Sequence, residues 1–447
     1  MNSPRTTHTI IRRQRGAVFI VMLVFMIMGV AAFLVSSLNS SAVQIKRDAA
    51  TADVLAQAKE ALIGYAASVD LTSGSNRPGD LPCPDTNNDG FAESSCGNAS
   101  GSSGQAQRIG RLPWKTLGLP DLRDSSGERL WYAVSNNFKN NIRTNCPSPG
   151  LPGCLNSDTV GTISVFSSDG TLLNNGGGST GAIAVIIAPG DILRRQGGTL
   201  QDRSSAGINT ATNYLDVATV GGNTEDNASF IDGSATNGFI QGRIQDSNGN
   251  LIVNDQLLTI TQDNIMLAIQ KRVAAEVRLC LIEYASIPQN HGRFPWTTDP
   301  TNVTSYNDMS NQIFGRIPDQ TFDNTKADSG DNMTDVWGAN CSIQYGSWWL
   351  NWKEMVFYGL ADAYKPVDPP NTTAACGTCL TVNPPSVTAD KRIVIIVAGR
   401  TLPTQVRISN ADKGNLNNYL ESSNSNGASP FAQSTPSATF NDVVVFQ

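Results

Sequence analysis

Nineteen consecutive apolar residues without a charge, Ala17 to Val35, follow directly on a basic cluster, and no second apolar run of this length occurs in the chain. A helix needs about 20 apolar residues to cross a bilayer, whereas the core of a secretory signal is usually only about 7–15 residues long. The length therefore predicts a span that is kept. Arg12, Arg13 and Arg15 precede the run, and the next charge is Lys46. Basic flanks stay on the cytoplasmic side, so the body of the chain is expected outside the cytoplasm. An uncleaved anchor and a conventional signal cut near Ala31-Ala32 are the alternatives.

The residues after the run, Ser36 to Ser68, contain no proline and a single glycine, Gly64. Val54, Leu55, Ala58, Ala61, Leu62 and Tyr65 recur at intervals of three and four, which gives one apolar face. The pattern predicts a helix from Ala17 to about Ser68, roughly 75 Å long at 1.5 Å per residue. Ser36, Ser37, Asn39, Ser40 and Ser41 weaken its middle. A membrane helix followed by a separate short helix is the alternative.

The junction Arg15-Gly16, running straight into an apolar helix, resembles the class III signal of type IV pilins and type II secretion pseudopilins. The resemblance covers residues 12 to about 66. It implies that prepilin peptidase cuts between Gly16 and Ala17, that the new N-terminus is methylated, and that the apolar segment packs into a filament core. It further implies contacts with other minor pilins through the N-terminal helix. Most major pilins carry glutamate at the fifth residue after the cut, where this chain has Val21. That glutamate is thought to pair with the amine of a neighbouring subunit, and a buried carboxylate without such a partner is costly. Among family members that lack it are tip subunits, so Val21 implies a tip position.

The soluble part repeats itself, which is the first thing to look for in a long chain. Five stretches recur in the same order: Ala58–Ala66 with Val277–Ala285, Gly110–Trp114 with Gly292–Trp296, and Gly127–Ser135 with Lys353–Ala361. Ile183–Gly190 matches Ile393–Arg400, and "NYL" followed by "ND" at Asn213 and Asn254 matches the same pair at Asn418 and Asn441. A chain of 447 residues is long enough for two or more domains. The expected organisation is a leader at 1–16, the transmembrane or filament-core half of the helix at 17–48, a first head at 49–261 and a second at 262–447. The expected fold class is α+β. The long helix leads into two tandem pilin-like heads, each a helix packed on an antiparallel sheet. Thr261 or Asp263 is the start signal for the second helix, and Ser247-Asn248-Gly249 marks a hairpin. The repeated Glu128/Glu354, Tyr132/Tyr358 and Trp114/Trp296 are read as shared packing, not as a catalytic set.

Eight cysteines divide evenly, Cys83, Cys96, Cys146 and Cys154 in one half and Cys280, Cys341, Cys376 and Cys379 in the other. In a translocated chain this implies disulfides. Cys83–Cys96, Cys146–Cys154, Cys280–Cys341 and Cys376–Cys379 are preferred among the three connectivities open to each half. Between Cys83 and Cys96, Asp85, Asn87 and Asp89 alternate and Gly90 follows. Oxygens at alternate positions and a glycine turn are the opening of a calcium loop of EF-hand type. Phe91 would add its carbonyl and Glu93 stands at the ninth position, but the twelfth is Cys96, so the loop is shortened and no EF-hand. The rival reading is an Asx-rich turn. The second half is read as lacking this insertion. A weaker acidic loop there holds Asp323, Asp328, Asp331 and Asp335.

A further insertion, residues 297–353, carries Trp337, Tyr345, Trp348, Trp349 and Trp352. It could bind carbohydrate or protein, but helical spacing favours core packing. A receptor site is otherwise sought in the loop from Gly221 to Gly238. Net charge is −6, which gives no basic footprint for nucleic acid. Only His8 and His291 are present, and no nucleophile motif or nucleotide loop stands out, so an enzyme is not expected. The expectation is a minor pilin or pseudopilin, first in the inner membrane with a periplasmic body and then at a filament tip on the cell surface. It would present a calcium-binding head to an adhesin or a surface ligand. A membrane-anchored periplasmic binding protein or adhesin is the alternative.

Overall fold

The structure is a computed structural model. It describes residues 17–71, 76–97, 108–139, 154–204, 207–308, 311–319, 336–345, 348–366, 374–385 and 387–447, and between 17 and 41 the side chain of Met26 alone. The leader expected at 1–16 with Gly16, the loop with Asp323, Asp328, Asp331 and Asp335, and Cys146 lie outside the described residues. So do the side chains of Ala17, Val21 and Tyr345.

Helix α1 (Ala17–Ser68) is followed by β1 (Ile109–Arg111), β2 (Trp131–Val134), β3 (Val165–Ser167), β4 (Leu172–Asn174) and β5 (Ala182–Ala188). Then come β6 (Val217–Val220), β7 (Asn223–Asp226), β8 (Phe239–Gln241), β9 (Ile244–Gln245), β10 (Leu251–Val253) and β11 (Gln256–Thr261). Helix α2 (Gln262–Ser286) precedes β12 (Phe314–Arg316), α3 (Ser342–Tyr345), α4 (Trp349–Trp352) and β13 (Val356–Leu360). The chain closes with β14 (Val382–Asn383), β15 (Ile393–Val397), α5 (Asn410–Gly414), β16 (Phe431–Ala432) and β17 (Val443–Phe446).

Two four-stranded antiparallel sheets carry the repeat, in the orders β1-β2-β5-β11 and β12-β13-β15-β17. Their central strands β5 and β15 are the β-branched runs of the sequence, and every residue in them is buried. Such residues suit a pleated surface covered on both faces. Two smaller sheets contain a parallel pair, β3 with β8 in the three-stranded order β4-β3-β8, and β14 with β16 as a two-stranded sheet. The predicted hairpin forms as β9 and β10, with Gly249 at φ 81° in its turn.

The expected architecture needs correcting. The chain is sheet-rich, and besides the two four-stranded sheets it forms several small ones that a simple helix-on-sheet head does not have. The residues from Val54 to Gln447 form one compact unit, where two heads in series were expected. Among the described residues, no helix is long and apolar enough to cross a membrane. The physical reason for the single unit is a shared core. Leu55, Leu62, Tyr132, Ile186, Ile269, Val277, Tyr358 and Ile395 all belong to one buried cluster. Helix α2, capped by a Thr261–Asn264 box, packs on β15 and β17 and also touches β11.

A polar seam closes the two repeats on each other. The Leu155 amide donates to Asn351 Oδ1 at 2.8 Å, Asn156 Nδ2 to the Asn351 carbonyl at 3.1 Å, and Ser157 Oγ to the Ala398 carbonyl at 2.6 Å. Asp158 accepts from the Thr401 amide at 2.8 Å and from Arg407 Nη1 at 3.0 Å. The aromatic insertion is core: Trp337, Trp348, Trp349 and Trp352 are all buried. Disulfides join Cys83 to Cys96, Cys280 to Cys341 and Cys376 to Cys379. Cys154 is also disulfide-bonded.

Candidate functional site

The loop after Cys83 is anchored at its root. Asp85 is buried, and its amide and carbonyl exchange hydrogen bonds with Arg111 of β1 at 2.9 and 2.7 Å. Its carboxylate then organises the turn. Oδ1 accepts from the amides of Asn87 and Asn88, and Oδ2 from the Gly90 amide at 2.7 Å. Asn87 Oδ1 accepts from the Asp89 amide at 2.9 Å, and Asp89 Oδ1 from the Phe91 amide at 2.8 Å. Burial pushes the Asp85 carboxyl up, and the amides of Gly90 and Asn88 pull against it.

Gly90, at φ 89°, is required here, because a Cβ would lie 2.8 Å from the Trp114 indole. Glu93 does not join the turn; its Oε1 accepts from the amide and hydroxyl of Thr86, closing the neck of the loop. Two cations lean on the outside. Arg129 Nη1 donates to Asn88 Oδ1 at 2.8 Å, and Lys115 Nζ donates to the Asp89 carbonyl and lies 4.8 Å from the Phe91 ring centre.

Among the described residues no three of His, Cys, Asp and Glu gather as a metal group. Asp85, Asn87 and Asp89 with a main-chain carbonyl offer oxygens at alternate positions around a glycine turn, the pattern a hard cation takes, while the Asp85 and Asn87 side-chain oxygens accept main-chain amides in this structure. Asp89 Oδ2 makes no hydrogen bond among the described residues, so it is open to a cation.

Behind the loop lies a cavity of about 410 Å³, lined by Asp85, Gly110, Arg111, Trp131, Thr210 and Phe230 among others. Arg111 is 3% exposed and its guanidinium stacks over Trp131 at 4.3 Å and Tyr214 at 4.0 Å. Burial pulls that guanidinium down to about 10. The second repeat builds the same object: Arg316 stacks over Phe357 at 4.7 Å and Tyr419 at 5.0 Å.

This equivalence corrects the sequence alignment. The counterpart of Ile109–Arg111 is Phe314–Arg316, which pairs with β13 as β1 pairs with β2. Gly292–Trp296 corresponds instead to the segment around Pro82. Tyr132 Oη donates to the Pro82 carbonyl and Tyr358 Oη to the Pro295 carbonyl. Asp85 and Thr298 then bridge to Arg111 and Arg316 in the same way. The loop between Asp85 and Gly110 has a counterpart between Thr298 and Gly315, so the second half does not lack it. Trp114 and Trp296 are not equivalent. Tyr132 and Tyr358 are a repeated packing pair.

A polar network is duplicated almost bond for bond. Gln201 Nε2 donates to Asp216 Oδ1 and Gln405 Nε2 to Glu421 Oε1, each at 2.8 Å. Arg203 and Arg407 donate to those glutamine carbonyls at 3.0 and 3.2 Å, and to the carbonyls of Gly190 and Gly399 at 2.7 and 3.0 Å. Asp255 Oδ2 accepts from the Asp216 amide and Asn227, and Asp442 Oδ2 from the Glu421 amide and Asn424, at 2.8–3.0 Å. Burial raises Asp216 to about 6. Burial, with a neighbouring carboxylate, holds Asp255 and Asp442 well above the usual range. These acids lie too deep to meet a substrate, so the network is framework. Sequence reasoning missed it, although "QDR" and "QVR", and the acid after each "NYL", were its signature.

The segment from Gly221 to Gly238 contains β7, whose Glu225 is buried and accepts from the Gly238 amide at 2.7 Å. No family model, curated protein or solved structure matches this chain.

Proposed function

We propose that the chain is a minor pilin or pseudopilin, placed at the tip of a type IV pilus-like filament, where it primes assembly and presents its head for adhesion or partner binding. The observation that carries this reading is the Arg15-Gly16 junction running into the uncharged residues from Ala17 to Val35. Prepilin peptidase removes residues 1–16 in this reading, and other minor pilins meet the exposed N-terminal segment. Val21 supports the tip position, because a subunit with no subunit above it has no amine to neutralise. The bridges Cys83–Cys96, Cys280–Cys341 and Cys376–Cys379, with Cys154 also disulfide-bonded, support a head that works in an oxidising compartment. The loop with Asp85, Asn87 and Asp89 takes a calcium ion, which is plentiful outside cells and stiffens the loop after export.

The test is the mature N-terminus, measured by mass spectrometry on protein from its native membrane, with and without prepilin peptidase. A peptidase-dependent start at Ala17 is the expected result. An intact leader would make the chain a membrane-anchored binding protein, and a start beyond Ala31 would remove the filament reading.

A further inference from the structure

The three bridges between named partners differ in what surrounds them. Cys83 and Cys96 are 1% and 0% exposed, and Cys280 and Cys341 are 1% each, so the folded chain covers both of those bonds. In the third bridge Cys376 is exposed, while its partner Cys379 is only 6% exposed. Ala375, Gly377 and Thr378 are exposed along with Cys376, and a Cβ added to Gly377 would meet nothing within 4 Å. The turn stands clear of the body, with one cysteine offered to solvent and the other covered.

The fold around this turn does not lean on the bond. The bridge spans a sequence separation of 3, against 13 for Cys83–Cys96 and 61 for Cys280–Cys341. A cross-link restrains the unfolded chain less when the loop it closes is short, so this one contributes least to stability. Main-chain bonds fix both ends of the turn independently. The Ala374 amide donates to the His291 carbonyl at 3.3 Å. On the other side the Cys379 amide donates to the Ala389 carbonyl at 3.3 Å, and Leu380 and Lys391 exchange bonds of 2.8 and 3.0 Å. The Phe431 amide donates to the Thr381 carbonyl at 2.9 Å, where β14 runs beside β16. With these bonds in place, the two Cα atoms, 5.6 Å apart, stay at bridging distance when the disulfide opens, and it can close again.

We infer that Cys376–Cys379 is a thiol–disulfide exchange site, at which the chain reacts with a protein that carries a dithiol. Exchange requires access of a thiolate to one sulfur of the bond, and of the six cysteines in these bridges only Cys376 is exposed. A thiolate of the partner attacks Cys376 Sγ. The bond to Cys379 breaks, and Cys379 leaves as a thiolate that takes up a proton. The partner's second thiol then attacks its own sulfur in the mixed disulfide, and Cys376 leaves and is protonated. Two electrons and two protons have passed from the dithiol to the chain, and the partner ends as a disulfide. The reverse sequence re-forms the bridge. A dithiol is the partner because its second attack is intramolecular, at an effective concentration that a free monothiol does not reach. A protein fits because the bare turn at Gly377 lets another main chain approach closely. The inference does not depend on whether the chain enters a filament.

The test begins with the native full-length chain, titrated with dithiothreitol. Free thiols are blocked by alkylation and assigned by peptide mass spectrometry. Cys376 and Cys379 are expected to be labelled at a reductant concentration about tenfold or more below that needed for Cys83, Cys96, Cys280 and Cys341, with the near-ultraviolet circular dichroism unchanged. Thioredoxin carrying only its attacking cysteine is the protein probe, and a covalent one-to-one adduct through Cys376 is expected. Cys379→Ser leaves Cys376 as a lone thiol, which should take one glutathione from oxidised glutathione. Cys376→Ser leaves the covered cysteine, which should react about tenfold or more slowly. Opening of all the bridges together would overturn the inference, as would opening of this one only as the near-ultraviolet signal is lost. So would the absence of an adduct with the protein probe, an adduct at Cys379, or equal rates in the two variants.

Discussion

Two carboxyl groups buried side by side cannot both be charged, and the cheapest solution is to keep a proton. In the unfolded chain such groups titrate near pH 4. In the fold, Asp216 holds its proton to about 6, and Asp255 and Asp442 hold theirs well beyond the usual range. The folded state therefore binds more protons than the unfolded one above pH 4, and stability falls as pH rises through 6 and beyond. The melting temperature is expected to be lower at pH 8 than at pH 5.5. Asp255→Asn and Asp442→Asn mimic the protonated acid and should each flatten that slope; a slope unchanged in both variants would remove this account. Gly110 and Gly315 make a second residue-scale case. A Cβ on Gly315 would lie 2.0 Å from the Thr298 carbonyl oxygen, and one on Gly110 2.6 Å from that of Asp85. Gly315→Ala should cost ~1–3 kcal/mol by overpacking. Gly64→Ala meets nothing within 4 Å and should be neutral or slightly stabilising. Urea denaturation of both variants checks the contrast.

At the scale of elements, the loop stapled by Cys83–Cys96 should respond to both its bond and its ion. Replacing both cysteines by alanine frees a 13-residue separation and should cost about 2–4 kcal/mol. Calcium should raise the melting temperature of the native chain and EGTA should reverse it, with Asp89→Asn weakening the effect. An identical melt with calcium and with EGTA would remove calcium from the function. The elements also show what could be read in advance. The runs around Ile183 and Ile393, the "NYL" and "ND" pairs and the Thr261 cap were legible because local pattern decides them. The stacking of Arg111 and Arg316 on aromatic rings was not legible, because its pieces come from segments far apart in sequence. The alignment through Gly292–Trp296 failed for a related reason. The same short string recurs at a non-equivalent turn, while the true partner of β1, Phe314–Arg316, is followed by Ile317-Pro318 and no tryptophan. The shared core was missed because periodicity shows which face of a helix is apolar, not which sheet covers it.

At the scale of the whole compact unit, the seam makes the two repeats one cooperative body. Arg407 is 4% exposed in its side chain and leans on Asp158 across that seam. Asp158→Ala removes that partner and should lower stability by ~1–3 kcal/mol. Residues 54–447 should still unfold in a single transition, by both near-ultraviolet and far-ultraviolet circular dichroism. Two separated transitions in the unmodified protein would mean that the repeats fold independently and that the seam is incidental.

Each of the three bridges resolved between named partners joins a cysteine to the next cysteine along the chain. A polypeptide threaded through a membrane from its N-terminal side offers its thiols to an oxidant one after another. With this ordering, the first available neighbour is always the right one. For a chain exported as proposed above, vectorial delivery and correct pairing then coincide.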